Sequence, residues 1–237
     1  MKSHASRQEK LNKNLAHAAG QGDAATLAAL LAQGGDPTAN GSTALCWAAK
    51  HGHAECVELL IPCSDARSFN SYAIRQAASR GHLECVKLLI PVSDPKADNS
   101  YALLWASVHG HIECVKLLIP FSDPKADDSC ALFTAAAHDY TECVKLLMPC
   151  SHPLSTHPAP FNIAIQNGCA ASVALMLDAD PRLINLIDPL SASQAAADKG
   201  QSALAALLVS TAEKLSIAAA AEDGLASATP STPAFRL

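Results

Sequence analysis

Several features that would point to a membrane or nucleic-acid partner are scarce in this 237-residue chain. Aromatic residues make up 4% and charged residues 16% of it, although apolar residues reach 49%. No apolar run approaches the roughly 18 residues that a membrane-spanning helix requires, so we expect no membrane association. The net charge is −5, with Lys and Arg evenly scattered, whereas a nucleic-acid surface needs a basic face. We therefore expect no nucleic-acid partner.

Catalytic and cofactor motifs are also missing. The sequence contains no pairing of Ser, His and Asp, no C-x-x-C motif and no glycine-rich phosphate loop, because its 11 glycines fall in turns or in the C-terminal tail. We expect no catalytic residue, no cofactor and no metal. The chain is predicted not to be an enzyme.

The N-terminal residues and the cysteines indicate the cellular location of the protein. The N-terminal residues are polar and basic without the apolar core of a secretory signal. The nine cysteines are an odd number and favour free thiols in a reducing compartment. We predict a cytoplasmic protein, or one that enters the cytosol of a host if it is a secreted effector.

The chain does contain a regular repeat. Four nearly identical segments carry cysteines at a period of 29 residues, at Cys56, Cys85, Cys114 and Cys143. A constant period with a constant internal pattern predicts stacked copies of one small unit.

Each period contains two helical patterns separated by a tight turn. In one copy the first helix runs from a polar cap at Asn99 or Ser100 to Gly110, and the second ends before Pro120. A more polar copy precedes these four and two further copies follow them, and the spacing is unchanged across the proline-rich segment 149–160. The pattern predicts about seven units in one array over residues 11–214. Residues 1–10 are predicted to be a flexible N-terminus and 215–237 a disordered tail.

The segment from Gly41 to Leu60 resembles the ankyrin repeat. The matching positions are Gly41, Thr43, Leu45, Ala48, Ala49, Gly52, His53, Glu55, Val57, Leu59 and Leu60, and the resemblance extends from about Leu11 to Ser210. It implies an all-α, ankyrin-repeat solenoid of helix-turn-helix units. Ankyrin repeats run to about 33 residues. The four residues missing here predict shortened loops in place of full β-turn fingers.

The repeated cysteines and histidines have structural interpretations. The resemblance places the cysteines where the family usually carries Ile or Val, so we expect them in the core. Cys63 and Cys150 lie in loops and are expected to be exposed. The histidines of the Gly-His motif (His53, His82 and His111) are expected to close the turn between the two helices.

One set of positions varies between copies while the core positions repeat. Trp47 and Trp105 occupy the same position two units apart, and residues three and four further along a helix share its face. The two rings either fill space between helices or anchor a partner. The predicted partner-binding residues are Trp47, Lys50, His51, Gln76, Ser79, Arg80, Trp105, His109, Thr134, His138, Gln166 and Asn167.

These features predict a monomeric, non-catalytic protein–protein interaction module. It is expected to bind another protein through the concave helical face that the resemblance implies, as an effector or an inhibitor. The alternative is a substrate-docking or accessory subunit of an enzyme whose catalytic part is on another chain.

Overall fold

The computed structural model describes residues 2–152 and 158–226, with side chains over 6–152 and 158–217. The structure is 78% helix, and no strand occurs within the described ranges. The chain divides into two compact units, residues 1–153 and 154–237. The predicted all-α class is confirmed, and the described loops contain no β-hairpin fingers.

The first unit consists of five helix pairs. They are α1 (Lys2–Gln21) with α2 (Ala24–Ala32), α3 (Ala39–His51) with α4 (Ala54–Leu60), α5 (Ser68–Ser79) with α6 (Leu83–Leu89), α7 (Ala97–Val108) with α8 (Ile112–Leu118), and α9 (Ala126–Ala137) with α10 (Thr141–Leu147). The odd-numbered helices, which we call the first helices, pack in one row. The even-numbered second helices pack in another.

The second unit contributes two further pairs. Helices α11 (Ala159–Asn167) and α12 (Ala170–Ala179) form one, and a 3₁₀ helix (Pro181–Leu186) leads to α13 (Pro189–Asp198) and α14 (Ser202–Ala226). The described residues therefore hold the seven predicted pairs. The proline-rich segment, which we expected to lie inside one continuous array, contains the boundary between the two compact units.

The helical region extends further at both ends than the predicted range of 11–214. Helix α1 begins at Lys2, inside the segment that we expected to be flexible, and α14 continues to Ala226. The remaining tail, residues 227–237, lies outside the described residues. The flexibility of both termini stays a prediction.

Each pair buries the same small set of apolar side chains. Leu45 and Ile74 of the first helices are fully buried, as are their equivalents Leu103 and Leu132. The four repeated cysteines are at most 1% exposed. Their predicted place in the core is confirmed. A small buried apolar thiol suits the close contact between short helices.

Short left-handed turns form the loops that the sequence predicted to be shortened. Three consecutive residues have positive φ before the regular part of α3, α5, α7 and α9, at 40–42, 69–71, 98–100 and 127–129. Asn, Asp and Ser tolerate this conformation because their short side chains form local hydrogen bonds. Phe69 (φ 50°) is the bulky exception.

A row of buried serines closes these turns. The hydroxyl oxygen of Ser71 accepts a hydrogen bond from the amide of Asp94, 2.9 Å away, and Ser100 accepts one from Asp123 at 2.8 Å. Ser42 and Ser129 do the same one unit earlier and one unit later. Ser100, one of the two residues predicted to cap its own helix, instead ties one turn to the next through its hydroxyl.

The motif histidines also join neighbouring repeats. The Nε2 atom of His111, at the start of α8, lies 3.1 Å from the carbonyl oxygen of Ser79 at the end of α5. A carbonyl can only accept, so Nε2 carries the proton. The His111 ring covers the α-carbon of Gly81, where an added Cβ would lie 2.6 Å from Nδ1. These imidazoles were expected to help close the turn between helices, and the turn that they cover is that of the preceding repeat.

The fifth helix pair departs from this pattern. Asp139 replaces the motif glycine and keeps its left-handed conformation (φ 59°). Tyr140 replaces the histidine, and its ring covers Gly110 as His111 covers Gly81. The aromatic contact between repeats is kept, although a phenol has no ring nitrogen with which to reach the carbonyl.

Candidate functional site

The exposed side of the first helices in the first unit, which we call the first-helix face, carries an unusual share of the aromatic side chains. Trp47 is 43% exposed and Trp105 38%, and Tyr72 lies between them at 38%. Phe69, in the left-handed turn at the start of α5, is 67% exposed. Large apolar side chains left in water cost free energy, so a concentration of them on one face is informative.

Trp47 begins a column of stacked rings on α3. Its ring is parallel to that of His51 within 8°, with centroids 5.4 Å apart, and His51 in turn stacks on His53 at 6.2 Å. The ammonium of Lys50 lies 4.9 Å from the Trp47 ring centroid, within cation–π range. Gly20 of α1 also lies beside Trp47, since a Cβ added at Gly20 would be 3.6 Å from the Trp47 side chain.

Two repeats later the same column recurs on α7. The Trp105 and His109 centroids are 5.7 Å apart, and His109 stacks on His111 at 5.9 Å. The Nδ1 atom of His109 also lies 3.0 Å from the Trp105 carbonyl oxygen, which fixes the ring orientation. On the next first helix, His138 contacts Tyr140 at 5.7 Å.

Between the two tryptophan columns lies a cation held by two tyrosines. The Arg75 guanidinium is 5.7 Å from the Tyr72 ring centroid and 5.3 Å from that of Tyr101. It also forms an ion pair with Asp98 at 2.8 Å. Together these contacts link the side chains of α5 to those of α7 on this face.

Two recesses flank Trp47. The larger, of about 990 Å³, lies between α1 and α3 and is lined by residues that include His17, Gly20, Thr43, Trp47 and His51. The smaller, of about 190 Å³, lies between α3 and α5 and is lined by Gly41, Thr43, Cys46, Trp47, Lys50, Phe69 and Tyr72. The indole thus forms a wall shared by two cavities that are open to a ligand.

The sequence comparison agrees with this architecture. The family model for ankyrin repeats (three copies) matches residues 15–98 and 74–157, which together cover more than half of the chain. The chain belongs to the ankyrin repeat family. Ankyrin repeats are generally protein–protein interaction modules and are typically not enzymes. A comparison with curated proteins gives no match.

The structure brings most of the predicted binding residues of this ankyrin array onto the first-helix face. His51, Arg80, His109 and His138 are exposed, and the remaining predicted positions there are half-buried, namely Lys50, Gln76, Ser79 and Thr134. Gln166 and Asn167 are exposed in the second unit. Each of the two tryptophans packs against a neighbouring residue, as the space-filling interpretation requires. Each also keeps a large exposed area, as the anchoring interpretation requires. Whether a partner binds there stays a prediction.

Four residues of the face were missed by the sequence analysis. Phe69, Tyr72, Arg75 and Tyr101 contribute to the smaller recess or to the arginine site. Tyr72 and Tyr101 occupy equivalent positions one period apart. A search for aromatic residues recurring at 29-residue spacing would have found this pair.

Among the described residues, the thiols and histidines of the ankyrin array are not arranged as a three-ligand metal site. Across the described ranges, no three His, Cys, Asp or Glu side chains approach closely enough to hold an ion. Burial raises the pKa of the Cys85, Cys114 and Cys143 thiols to about 11, which disfavours the thiolate. Cys63 is exposed, as predicted, whereas Cys150 is half-buried. No helix in the described part of the chain is long and apolar enough to cross a bilayer.

Proposed function

We propose that this ankyrin repeat protein is a non-catalytic module that binds a partner protein on its first-helix face. One observation carries the proposal. In a chain with only 4% aromatic residues, Trp47, Phe69, Tyr72 and Trp105 lie exposed on neighbouring helices of one row. Tryptophan, tyrosine and arginine dominate the binding energy of protein interfaces.

The rigidity of the face supports this role. Trp47 and Trp105 are each held by a stacked histidine. Arg75 is held by two rings and a carboxylate. Side chains that are already ordered lose little conformational entropy on association, so less of the binding free energy is spent on ordering them. We propose that this face is the concave one and that the protein acts as a monomer.

An affinity purification with mass spectrometry tests the proposal. The bait is the full chain, compared with a variant in which Trp47, Arg80 and Trp105 are all replaced by alanine. The control replaces Glu58, Lys87 and Lys116 by alanine. These residues are exposed at equivalent positions of the second helices, and both variants remove one net positive charge. Proteins lost with the first variant and kept with the control support the face. Equal recovery with both variants contradicts it.

We further propose that the protein acts in the cytosol, as an effector or an inhibitor. The nine free cysteines support a reducing compartment. Purification from the cell's own lysate and from a candidate host lysate separates the two cellular settings. An inhibitor is expected to reduce the activity of the captured protein when the purified chain is added to it. The alternative, a substrate-docking or accessory subunit, predicts that the captured protein is an enzyme whose activity the chain does not suppress.

A further inference from the structure

Acidic residues are distributed unevenly between the two rows of helices in the first unit. The regular parts of α3, α5, α7 and α9, over residues 43–51, 72–80, 101–109 and 130–138, contain no Asp or Glu, whereas α1 carries Glu9. The second helices α4, α6, α8 and α10 carry an acidic residue at equivalent positions, Glu55, Glu84, Glu113 and Glu142, and the last three also carry a lysine. Because the chain as a whole has a net charge of −5, this absence does not reflect a shortage of acidic residues.

Two cations on the first-helix face are available to a ligand. Lys13 is paired with Glu9 at 2.7 Å and Arg75 with Asp98 at 2.8 Å. Lys50 and Arg80, in contrast, form no ion pair with any residue that the structure describes. Lys50 lies on α3 beside the Trp47 ring, and Arg80 is the C-terminal cap of the neighbouring helix α5.

The helix dipole accounts for only part of this distribution. Cations are favoured at helix C-termini, which is where Lys50 and Arg80 lie. The same field favours carboxylates in the first turn of a helix. At those positions the regular parts of α3, α5 and α7 instead begin with Thr43, Tyr72 and Tyr101. The dipole therefore leaves the absence of carboxylates from the regular parts of these three helices unexplained.

We propose that the segment bound by the first-helix face is an extended, acidic stretch of a partner protein, an inference that rests on the proposed function. Packed helices lie about 8–10 Å apart, and an extended chain advances about 3.3 Å per residue. Acidic side chains about three residues apart thus reach Lys50 and Arg80. Apolar side chains about six residues apart reach Trp47 and Trp105. The side chain that reaches Trp47 lies at the recess of about 190 Å³.

A protein segment fits this face better than a nucleic acid. Nucleic-acid affinity comes from many phosphate contacts, each of which releases counterions. Lys50 and Arg80 are too few to supply such a term, although the aromatic rings would stack on bases. Carboxylates flanking apolar side chains match both the charge of the face and its recess.

A selection from a random dodecapeptide display library on the immobilised full chain tests this inference. The expected outcome is enrichment of net-negative peptides with acidic residues about three apart and an apolar residue beside them. Binding of a synthetic copy of the most enriched peptide is then followed by intrinsic fluorescence, since both tryptophans of the chain (Trp47 and Trp105) lie at the site.

Charge reversal provides the matched comparison. Lys50→Glu with Arg80→Glu is expected to weaken peptide binding at least tenfold. Lys116→Glu with Lys145→Glu, on exposed positions of α8 and α10, is expected to change it less than twofold. No enrichment, enrichment of neutral or basic peptides, equal losses in both variants, or tighter binding of an oligouridylate would each overturn the inference.

The same variants separate this inference from the proposed function. If the affinity-purified partner is lost with the triple alanine variant but kept with Lys50→Glu/Arg80→Glu, the binding face stands and the acidic segment is wrong. If the triple alanine variant loses no partner, the proposed function fails and the acidic segment fails with it.

Discussion

The Nε2 atom of His82 lies 3.1 Å from the carbonyl oxygen of Lys50. This contact joins the start of α6 to the end of α3 in the preceding repeat, and His53 and His111 make the same contact with Gly20 and Ser79. In an array whose stability depends on the interfaces between neighbours, such contacts couple the repeats to one another.

His82 makes the stability of the array depend on pH. Burial lowers the pKa of His82 below its ordinary value of 6.5, with smaller contributions from Arg80, His111 and His53, while the hydrogen bond to Lys50 raises it. A lowered pKa means that the unfolded chain binds the proton more readily. The contribution of His82 to the free energy of unfolding is therefore complete above pH 6.5. It declines as the pH falls through the pKa that His82 has in the folded state.

Urea unfolding at pH 7.5 and pH 5.5 measures this effect. The wild type is expected to lose more stability between these two conditions than His82→Gln, whose amide keeps a donor but does not titrate. The same loss in both proteins would show that His82 is not responsible.

The glycine beneath each motif histidine is required for two reasons. Gly81 has φ +72°, and a Cβ there would lie 2.6 Å from the His111 ring. Gly34 has φ +87° but nothing within 4 Å of its Cβ position. Gly34→Ala should cost about 1 kcal/mol for the backbone alone. Gly81→Ala should cost at least about 1 kcal/mol more because the ring must move. Equal losses in thermal unfolding would contradict the stacking argument.

The buried serines are predicted to differ according to their hydrogen bonds. Ser100 accepts a bond from the Asp123 amide, so Ser100→Ala should destabilise the chain by about 1–2 kcal/mol. The buried hydroxyl of Ser122 has no partner among the residues that the structure describes. Ser122→Ala is therefore expected to be neutral or slightly stabilising, and a comparable loss in both variants would refute this explanation of the serine row.

Thiol reactivity follows burial. Cys85, Cys114 and Cys143 are buried and have pKa values of about 11, whereas Cys63 is exposed. Brief treatment of the native protein with iodoacetamide, followed by peptide mass spectrometry, should find Cys63 modified and these three intact. Early modification of any of the three would place them outside the packed core.

Much of the fold follows from the 29-residue period. The repeated cysteines locate the core, and Pro62 and Pro120 mark the ends of second helices. Each second helix there stops and gives way to a single 3₁₀ turn. The contacts between repeats could not be predicted in the same way. The sequence of one repeat does not show whether His82 bonds within its own repeat or to Lys50 of the preceding one. The partner depends on how closely neighbouring repeats pack.

The candidate site was predictable where helical spacing alone defines it. Trp47, Lys50 and His51 share a face because they are three and four residues apart. The contribution of Phe69 was not predictable, because its position depends on a left-handed backbone that bulky residues rarely adopt. Arg75 was missed because its tyrosine partners come from two different repeats.

The binding constant of Trp105→Ala for a captured partner tests the central claim most directly. Titration calorimetry should give a Kd at least tenfold weaker than that of the wild type, because anchoring rings typically contribute about 2 kcal/mol or more. The free energy of unfolding should stay within about 1 kcal/mol, since the side chain is 38% exposed. Ile112→Ala, on the second helices and 41% exposed, is the matched control and should leave the Kd within twofold. An unchanged Kd for Trp105→Ala, or a stability loss of several kcal/mol, would contradict the account.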